Sequence, residues 1–141
     1  MPEISIILPG YNVERYLYSC MSSIIDSTFK DYELIYVDDC STDKSKEIAA
    51  SFNCQVLSTK ENSGPSITRN LGAKNANGKY LLFIDADTTI PRDAIENIYS
   101  MLKGRDRVVI CGRYSKEPLN KGFFQKYYCL FKYFIQRTIF H

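Results

Sequence analysis

The chain has 141 residues, 45% of them hydrophobic and 24% charged, with a formal net charge of +2. Those proportions describe one domain long enough to bury a core, and they exclude disordered, collagen-like and low-complexity classes. The small net charge gives no electrostatic footprint for nucleic acid, yet it is unevenly placed. Residues 121–141 hold Lys121, Lys126, Lys132 and Arg137 with no acid, and 8 of the 19 Phe and Tyr residues, leaving 14 bases against 16 acids in residues 1–120.

Taken in chain order, Ile4–Leu8 is a continuous apolar run that predicts a buried strand, stopped by Pro9-Gly10. Asn12 is then expected to cap a helix, because Val13, Tyr16, Leu17, Cys20, Met21, Ile24 and Ile25 recur at gaps of three and one. Tyr32–Val37 reads as a second strand ending in Asp38-Asp39, and Ser41-Thr42-Asp43 as the start of a helix over 43–52. Cys54–Ser58 is a short third strand, and Pro65 suits the first turn of a helix reaching Ala76. Asn77-Gly78 predicts a turn, Tyr80–Ile84 a fourth strand ending in Asp85-Ala86-Asp87, and Pro91 the opening of a helix to Lys103. A fifth strand is expected over 107–111 and a last helix over 120–139.

Strict alternation of strands and helices predicts an α/β fold: an open, mostly parallel sheet with helices on both faces. Continuous apolar strands fit a sheet covered on both sides. Ligands in such folds lie at the carboxyl ends of the strands. Three polar clusters fall there: Pro9–Asn12, Asp38-Asp39 and Asp85-Ala86-Asp87.

Asp85-Ala86-Asp87 leaves a buried strand directly. If extended, its two carboxylates point the same way and offer hard oxygens to a divalent ion, which can bridge to a diphosphate. The same triplet also serves as a turn and cap before the helix after Pro91. One acid of Asp38-Asp39 can accept hydrogen bonds from a base or ribose, or the pair can cap the following helix. Tyr11 can stack on a base, and Arg69, early in its helix, can reach a phosphate or base or stand in solvent. His141 is the only histidine and is terminal, so a His-based nucleophile triad has no support. The five cysteines stand nowhere at CxxC spacing, which fits free thiols in a reducing cytosol. No run of about 20 apolar residues exists to span a membrane.

These segments together resemble family 2 glycosyltransferases of the GT-A fold. Ile4–Glu14 looks like that family's opening, and Tyr36–Asp43 like its V-D-D-x-S-T-D segment. Asn62–Asn70 is similar to its N-x-G-x-x-x-x-R-N loop, and Gly78–Asp87 to its G-x-Y-hydrophobic-DxD segment. The resemblance implies a Rossmann-like domain, residues 1–115, that binds a nucleotide-diphospho-sugar, commonly a UDP-sugar. It implies that Pro9, Tyr11, Asn12 and Glu14 line the nucleotide pocket, that Asp39, beside Asp38, meets the base, and that Arg69 supports base or phosphates. Asp85 would sit near ribose or sugar, and Asp87, with Asp85 and Ala86 in the same motif, would hold Mg²⁺ or Mn²⁺ on the diphosphate. The sugar would pass to a saccharide or lipid-linked acceptor in cell-envelope polysaccharide synthesis.

Two positions depart from the pattern: Cys40 stands where Gly is usual, and Thr88 where many members carry a third acid. The family also has an acceptor-binding second half that supplies a catalytic base. Asp93, Glu96, Asp106 and Glu117 are the acids after Asp87, and none is assigned that role, so residues 116–141 are expected to begin that half. The competing readings are a nucleotide-sugar-binding module without turnover and, from Asp85 through Thr89, a haloacid-dehalogenase-like phosphatase using Asp85 and Asp87. The aromatic stripe over residues 123–140 is expected to be a helix that packs beneath the acceptor half and, left uncovered, favours self-association; the alternative is a helix in peripheral contact with the inner face of the membrane.

Overall fold

Eight elements alternate along the residues that the computed structural model describes, 1–105, 108–110 and 112. They are β1 (Ile4–Gly10), α1 (Glu14–Ile25), β2 (Tyr32–Asp38), α2 (Ser45–Ala50), β3 (Gln55–Ser58), α3 (Pro65–Lys74), β4 (Tyr80–Phe83) and α4 (Ala94–Leu102). The chain divides after Asp106, and all eight lie in the first unit. The sheet order is β3-β2-β1-β4, and every pairing is parallel. The α/β architecture read from the sequence is therefore the one observed.

The central strands explain the apolar runs. Ile4, Ile6 and Leu8 of β1 and Leu34 and Tyr36 of β2 point to one face, where they meet Leu17, Cys20, Met21 and Ile24 of α1, Ala49 of α2 and Ile95 of α4. Ile7, Ile35 and Val37, at the alternate positions, meet Leu57 of β3 and Leu71 and Ala73 of α3 on the other face. Each fully buried aliphatic side chain contributes about 1.5–3 kcal/mol to this core. Gly72 brings α3 close enough to seal the second face: a Cβ there would stand 2.5 Å from Ile7 Cγ2 and 3.1 Å from Val37 Cγ2.

At the amino ends of the strands, the Glu33 carboxylate accepts hydrogen bonds from the Ser5 hydroxyl and the Asn77 and Gly78 amides, fixing the return from α3 into β4. Burial alone would raise this carboxyl. The bonds from Ser5, Asn77 and Gly78 outweigh it and hold the group below its ordinary value.

Several expectations need correction. The sheet is not covered throughout: β4 is an edge strand among the described residues, and Leu81 and Phe83 are 44% and 43% exposed beside the face that α3 covers. Asn12 does not cap α1. It adopts a left-handed φ of 52°, and Val13 precedes the helix with no side-chain cap of its own. Pro91 does not open α4, which starts at Ala94 after a turn in which the Ala94 amide bonds the Pro91 carbonyl at 3.1 Å. Of the fifth strand expected over 107–111, Val108–Ile110 are described and carry no strand, and Arg107 and Cys111 lie outside the described residues. The aromatic helix over 120–139 lies wholly outside them.

Gly72→Val tests the packing of α3. Overpacking against Ile7 and Val37 is expected to lower the unfolding free energy by about 2 kcal/mol, read from urea denaturation. An unchanged midpoint would contradict the close approach.

Candidate functional site

Parallel pairing puts all four strand ends on one edge. Gly10 stands opposite Asp38, and Ile7 opposite Phe83, with the Ile84 amide continuing the ladder onto the Ile7 carbonyl at 3.1 Å. The loops after β1, β2, β3 and β4 therefore meet here, and each carries residues singled out in the sequence.

The loops after β1 and β2 are zipped together. The Asn12, Val13 and Glu14 amides donate to Ser41 Oγ (3.0 Å), Ser45 Oγ (2.9 Å) and Asp43 Oδ2 (3.0 Å). In return, Asn12 Oδ1 accepts the Thr42 amide at 2.9 Å, and Glu14 Oε2 accepts the Lys44 amide at 2.9 Å. The free amides at the start of α1 are thus satisfied by a neighbouring loop rather than by a local cap. Asp43 also accepts the Ser45 amide at 3.0 Å, starting α2. Burial works against its charge, but the bonds from the Ser45 hydroxyl and the Glu14 and Ser45 amides hold its carboxyl below the ordinary value. Asn12 and Cys40 pay the local cost of this arrangement in left-handed backbone, at φ 52° and 62°, each worth about 1–3 kcal/mol. That conformation is the physical reason a glycine suits the Cys40 position.

Asp38 and Asp39 separate in role. Asp38 Oδ2 accepts the Ser41 amide at 3.1 Å, and its Oδ1 accepts the hydroxyl of buried Tyr36 at 3.4 Å, so Asp38 braces its own loop. Asp39 is only 4% exposed. Its Oδ1 accepts the Thr59 hydroxyl at 2.8 Å and the Ser63 amide at 2.9 Å, and its Oδ2 accepts the Gly64 amide at 2.8 Å. Burial pushes this carboxyl up, and the bonds from Ser63, Thr59 and Gly64 more than reverse it, leaving it below the ordinary value. Gly64, at φ 86°, takes a backbone that favours glycine and leads directly into Pro65 and α3.

One turn into α3, Arg69 Nη2 reaches Asp85 Oδ1 at 2.7 Å. The two side chains are 36% and 48% exposed, so the pair lies at the surface of the edge. Of the two conformations open to the Asp85-Ala86-Asp87 segment from the sequence, extended or turned, it takes the turn: the Thr88 amide bonds the Asp85 carbonyl at 3.0 Å, with Ala86 buried and Asp85 and Asp87 exposed. The apolar Ala86 anchors the turn in the core while the acids on either side face solvent. From beneath, the Cys20 thiol approaches the Asp85 carbonyl at 3.8 Å, and Ser23 Oγ accepts the Ile90 amide at 3.1 Å. Burial pushes the Cys20 thiol up to about 12; the Thr88 amide opposes the rise, and Asp87 and Asp85 add to it.

Of the residues proposed from the sequence, Asn12, Glu14, Asp38 and Asp39 belong to one hydrogen-bonded network, Arg69 and Asp85 form an ion pair, and Asp87 stands on the same turn. Tyr11 is exposed at the end of β1, and Pro9 lies within that strand opposite Val37. The sequence reading missed Thr59, Ser63 and Ser45 as partners, and Cys20 and Ser23 as supports of the acidic turn. Only the Ser41-Thr42-Asp43 capping pattern hinted at any of this, and it caps two helices rather than one.

A family model described as Glycosyl transferase family 2 matches residues 5–140. Glycosyltransferase GlyA of Streptococcus pneumoniae is 36% identical over 126 residues, covering 86% of this chain and 18% of that protein. The crystal structure of S. aureus TarS 1-349 in complex with UDP-GlcNAc superposes with a TM-score of 0.68 at 32% identity, over 71% of this chain and 31% of that one. Glucosyl-3-phosphoglycerate synthase from Mycobacterium tuberculosis, crystallised with Mn²⁺, UDP and glucosyl-3-phosphoglycerate, gives 0.60 at 26% identity, over 73% and 40%. The chain spans less than half the length of each.

Asp39→Asn turns one carboxylate oxygen into a donor facing an amide. It is expected to cost about 1–3 kcal/mol of stability at neutral pH, measured by urea unfolding. Because the Asp39 carboxyl is depressed, its contribution is fully present above its ordinary value of 3.8 and is lost as pH falls through the lower folded value. The gap between wild type and variant should therefore close in that acid window; a gap independent of pH would refute the assignment.

Proposed function

This chain belongs to glycosyl transferase family 2, and from that premise we propose that its strand-end edge binds a UDP-sugar together with a divalent ion. In this reading the chain forms the donor side of an enzyme that moves the sugar to a hydroxyl of a saccharide or lipid-linked acceptor. The family assignment sets aside the phosphatase reading of Asp85 and Asp87. One observation carries the proposal: α3 starts on the Asp39 carboxylate and, one turn later, sets Arg69 on Asp85. A base-side loop and an acidic turn are thereby held on one edge by a single helix. The UDP, UDP-GlcNAc and Mn²⁺ in the related crystal structures support uridine and a divalent ion as the ligands.

The acidic turn fits such an ion by its donor chemistry. Asp85 and Asp87 are exposed hard-oxygen groups on one turn. Among the described residues, no cluster of three or more His, Cys, Asp or Glu side chains could hold a metal. One or two carboxylates completed by substrate phosphates and water is a usual way to bind Mg²⁺. The bound ion would supply neutralisation of charge on the diphosphate leaving group. The protein's own parts then divide the work. Tyr11, exposed at the end of β1, offers a ring to the base. The Asp39-bound loop sets the wall of the pocket, and Asn12 and Glu14 hold the loops after β1 and β2 in place. The same proposal puts the protein in the cytoplasm, where the free thiols of Cys20, Cys40 and Cys54 stay reduced.

Calorimetry with UDP tests the proposal. UDP should bind in the presence of Mn²⁺ or Mg²⁺, and chelation or Asp87→Ala should weaken it at least about 10-fold, equivalent to about 1.4 kcal/mol. UDP affinity indifferent to both metal and Asp87 would sink the metal-dependent reading.

A further inference from the structure

We propose that Thr59 is a positioning residue for base selection: its hydroxyl fills one acceptor site of the Asp39 carboxylate and so leaves a single acceptor, on Oδ2, for a ring N–H of the nucleobase. The inference rests on the donor-site reading above, with Asp39 meeting the base, and names the residue that sets what Asp39 can recognise there.

An ionised carboxylate only accepts hydrogen bonds, through about four lone-pair sites. Two are filled on Asp39 Oδ1, by the Thr59 hydroxyl at 2.8 Å and the Ser63 amide at 2.9 Å. The Gly64 amide fills one on Oδ2 at 2.8 Å. Among the described residues no protein donor takes the remaining site on Oδ2. A buried carboxylate gains from every donor it can collect. Asp39 is also tied to the end of β1, where its amide donates to the Gly10 carbonyl at 2.8 Å, next to Tyr11. The open acceptor thus belongs to the residue paired with the loop whose ring is offered to the base.

Thr59 is placed firmly for this task. Its amide donates to the Asp38 carbonyl at 2.9 Å, extending the β2–β3 pairing one residue beyond Ser58. Branching at Cβ restricts its χ1. The hydroxyl has a second acceptor within reach, the Asp38 carbonyl at 3.4 Å, but its one proton goes to the nearer, charged oxygen. The other two donors to Asp39 are backbone amides of the loop that opens α3, and any side chain leaves them in place. Thr59 supplies the one donor that depends on a side chain.

A single acceptor matches a base that presents a ring N–H. Uracil does so at N3, whereas cytosine presents a lone pair there, which a carboxylate repels. A site built to bond an N–H discriminates strongly against an analogue lacking it. Without the Thr59 hydroxyl, Oδ1 has an open acceptor of its own. The carboxylate can then turn about its Cβ–Cγ bond or take up water, and Oδ2 loses its fixed place against the base. A purely structural role for Thr59 gives a different result. UDP and CDP share ribose and diphosphate, so general damage to the pocket weakens both alike.

The experiment measures UDP and CDP affinities of the full chain by calorimetry at neutral pH and saturating Mg²⁺. Wild type should bind UDP at least about 10-fold tighter than CDP. Thr59→Val, which replaces the hydroxyl by a methyl, should weaken UDP about 10-fold and leave CDP within about 2-fold. Thr59→Ser should restore the preference. Thr59→Val added to Asp39→Asn should change the UDP-to-CDP ratio no further, because Thr59 acts through that carboxylate. Circular dichroism checks that each variant is folded, and Thr59→Ala, with a smaller side chain, carries the same expectation as Thr59→Val. Absence of UDP affinity in wild type would sink the donor reading, and this inference with it. Equal affinity of wild type for UDP and CDP, or an equal loss of both in the folded Thr59 variants, would overturn this inference alone.

Discussion

Asp39 is a carboxylate almost fully removed from water, and it remains charged because three donors surround it: the Thr59 hydroxyl and the Ser63 and Gly64 amides. Unpaired, such a group would be costly; paired, it becomes a fixed point. The loop after β3 has no regular structure of its own and needs partners for its amides. Asp39 supplies them, and so decides where Gly64 turns and in which direction α3 leaves. Everything that α3 carries inherits that decision, including Gly72 against the sheet and Arg69 at the acidic turn.

The same economy of partners shapes the other side of the edge. The amides of Asn12, Val13 and Glu14 are satisfied by Ser41, Ser45 and Asp43, while Asn12 and Glu14 satisfy Thr42 and Lys44. Neither loop can assume its shape without the other, which is why both Asn12 and Cys40 are held in left-handed backbone. The strain is local, and the reciprocal bonds offset it. Under the proposed function, a nucleotide pocket built on such a pair would be organised before any ligand arrives, so binding need not order the loops.

The acidic turn is held differently. Ala86 is buried, Cys20 and Ser23 support the backbone from α1, and the two carboxylates face outward. A turn anchored by its apolar middle presents charge at the surface without burying it. Arg69 is the cation already there. The Asp39 carboxylate is thus buried and held by three donors, whereas the acids of the turn after β4 stand at the surface.

Much of this was legible in the residues. The apolar runs of β1 and β2 specify a sheet covered on both faces, because strands with no polar alternation have no face to give to water. Alternation with amphipathic segments such as α1 specifies parallel order, and parallel order puts the polar clusters on one edge. The four segments from Ile4 to Asp87 carry the family likeness, and the match over residues 5–140 bears it out. What the sequence could not decide was which partner each polar group takes. Asn12 followed by a helical stripe reads as a cap, yet in left-handed backbone its oxygen goes to Thr42, in a loop far along the chain. Asp85-Ala86-Asp87 reads equally as strand or turn, and burial of Ala86 under α1 chooses the turn. Leu81 and Phe83 read as buried, yet α3 lies over β1 and β2 and leaves them exposed. Periodicity records which side chains prefer the core, a property of each residue and its near neighbours. Hydrogen-bond partners and edge positions depend on distances between segments far apart in the chain, and only the folded sheet sets those.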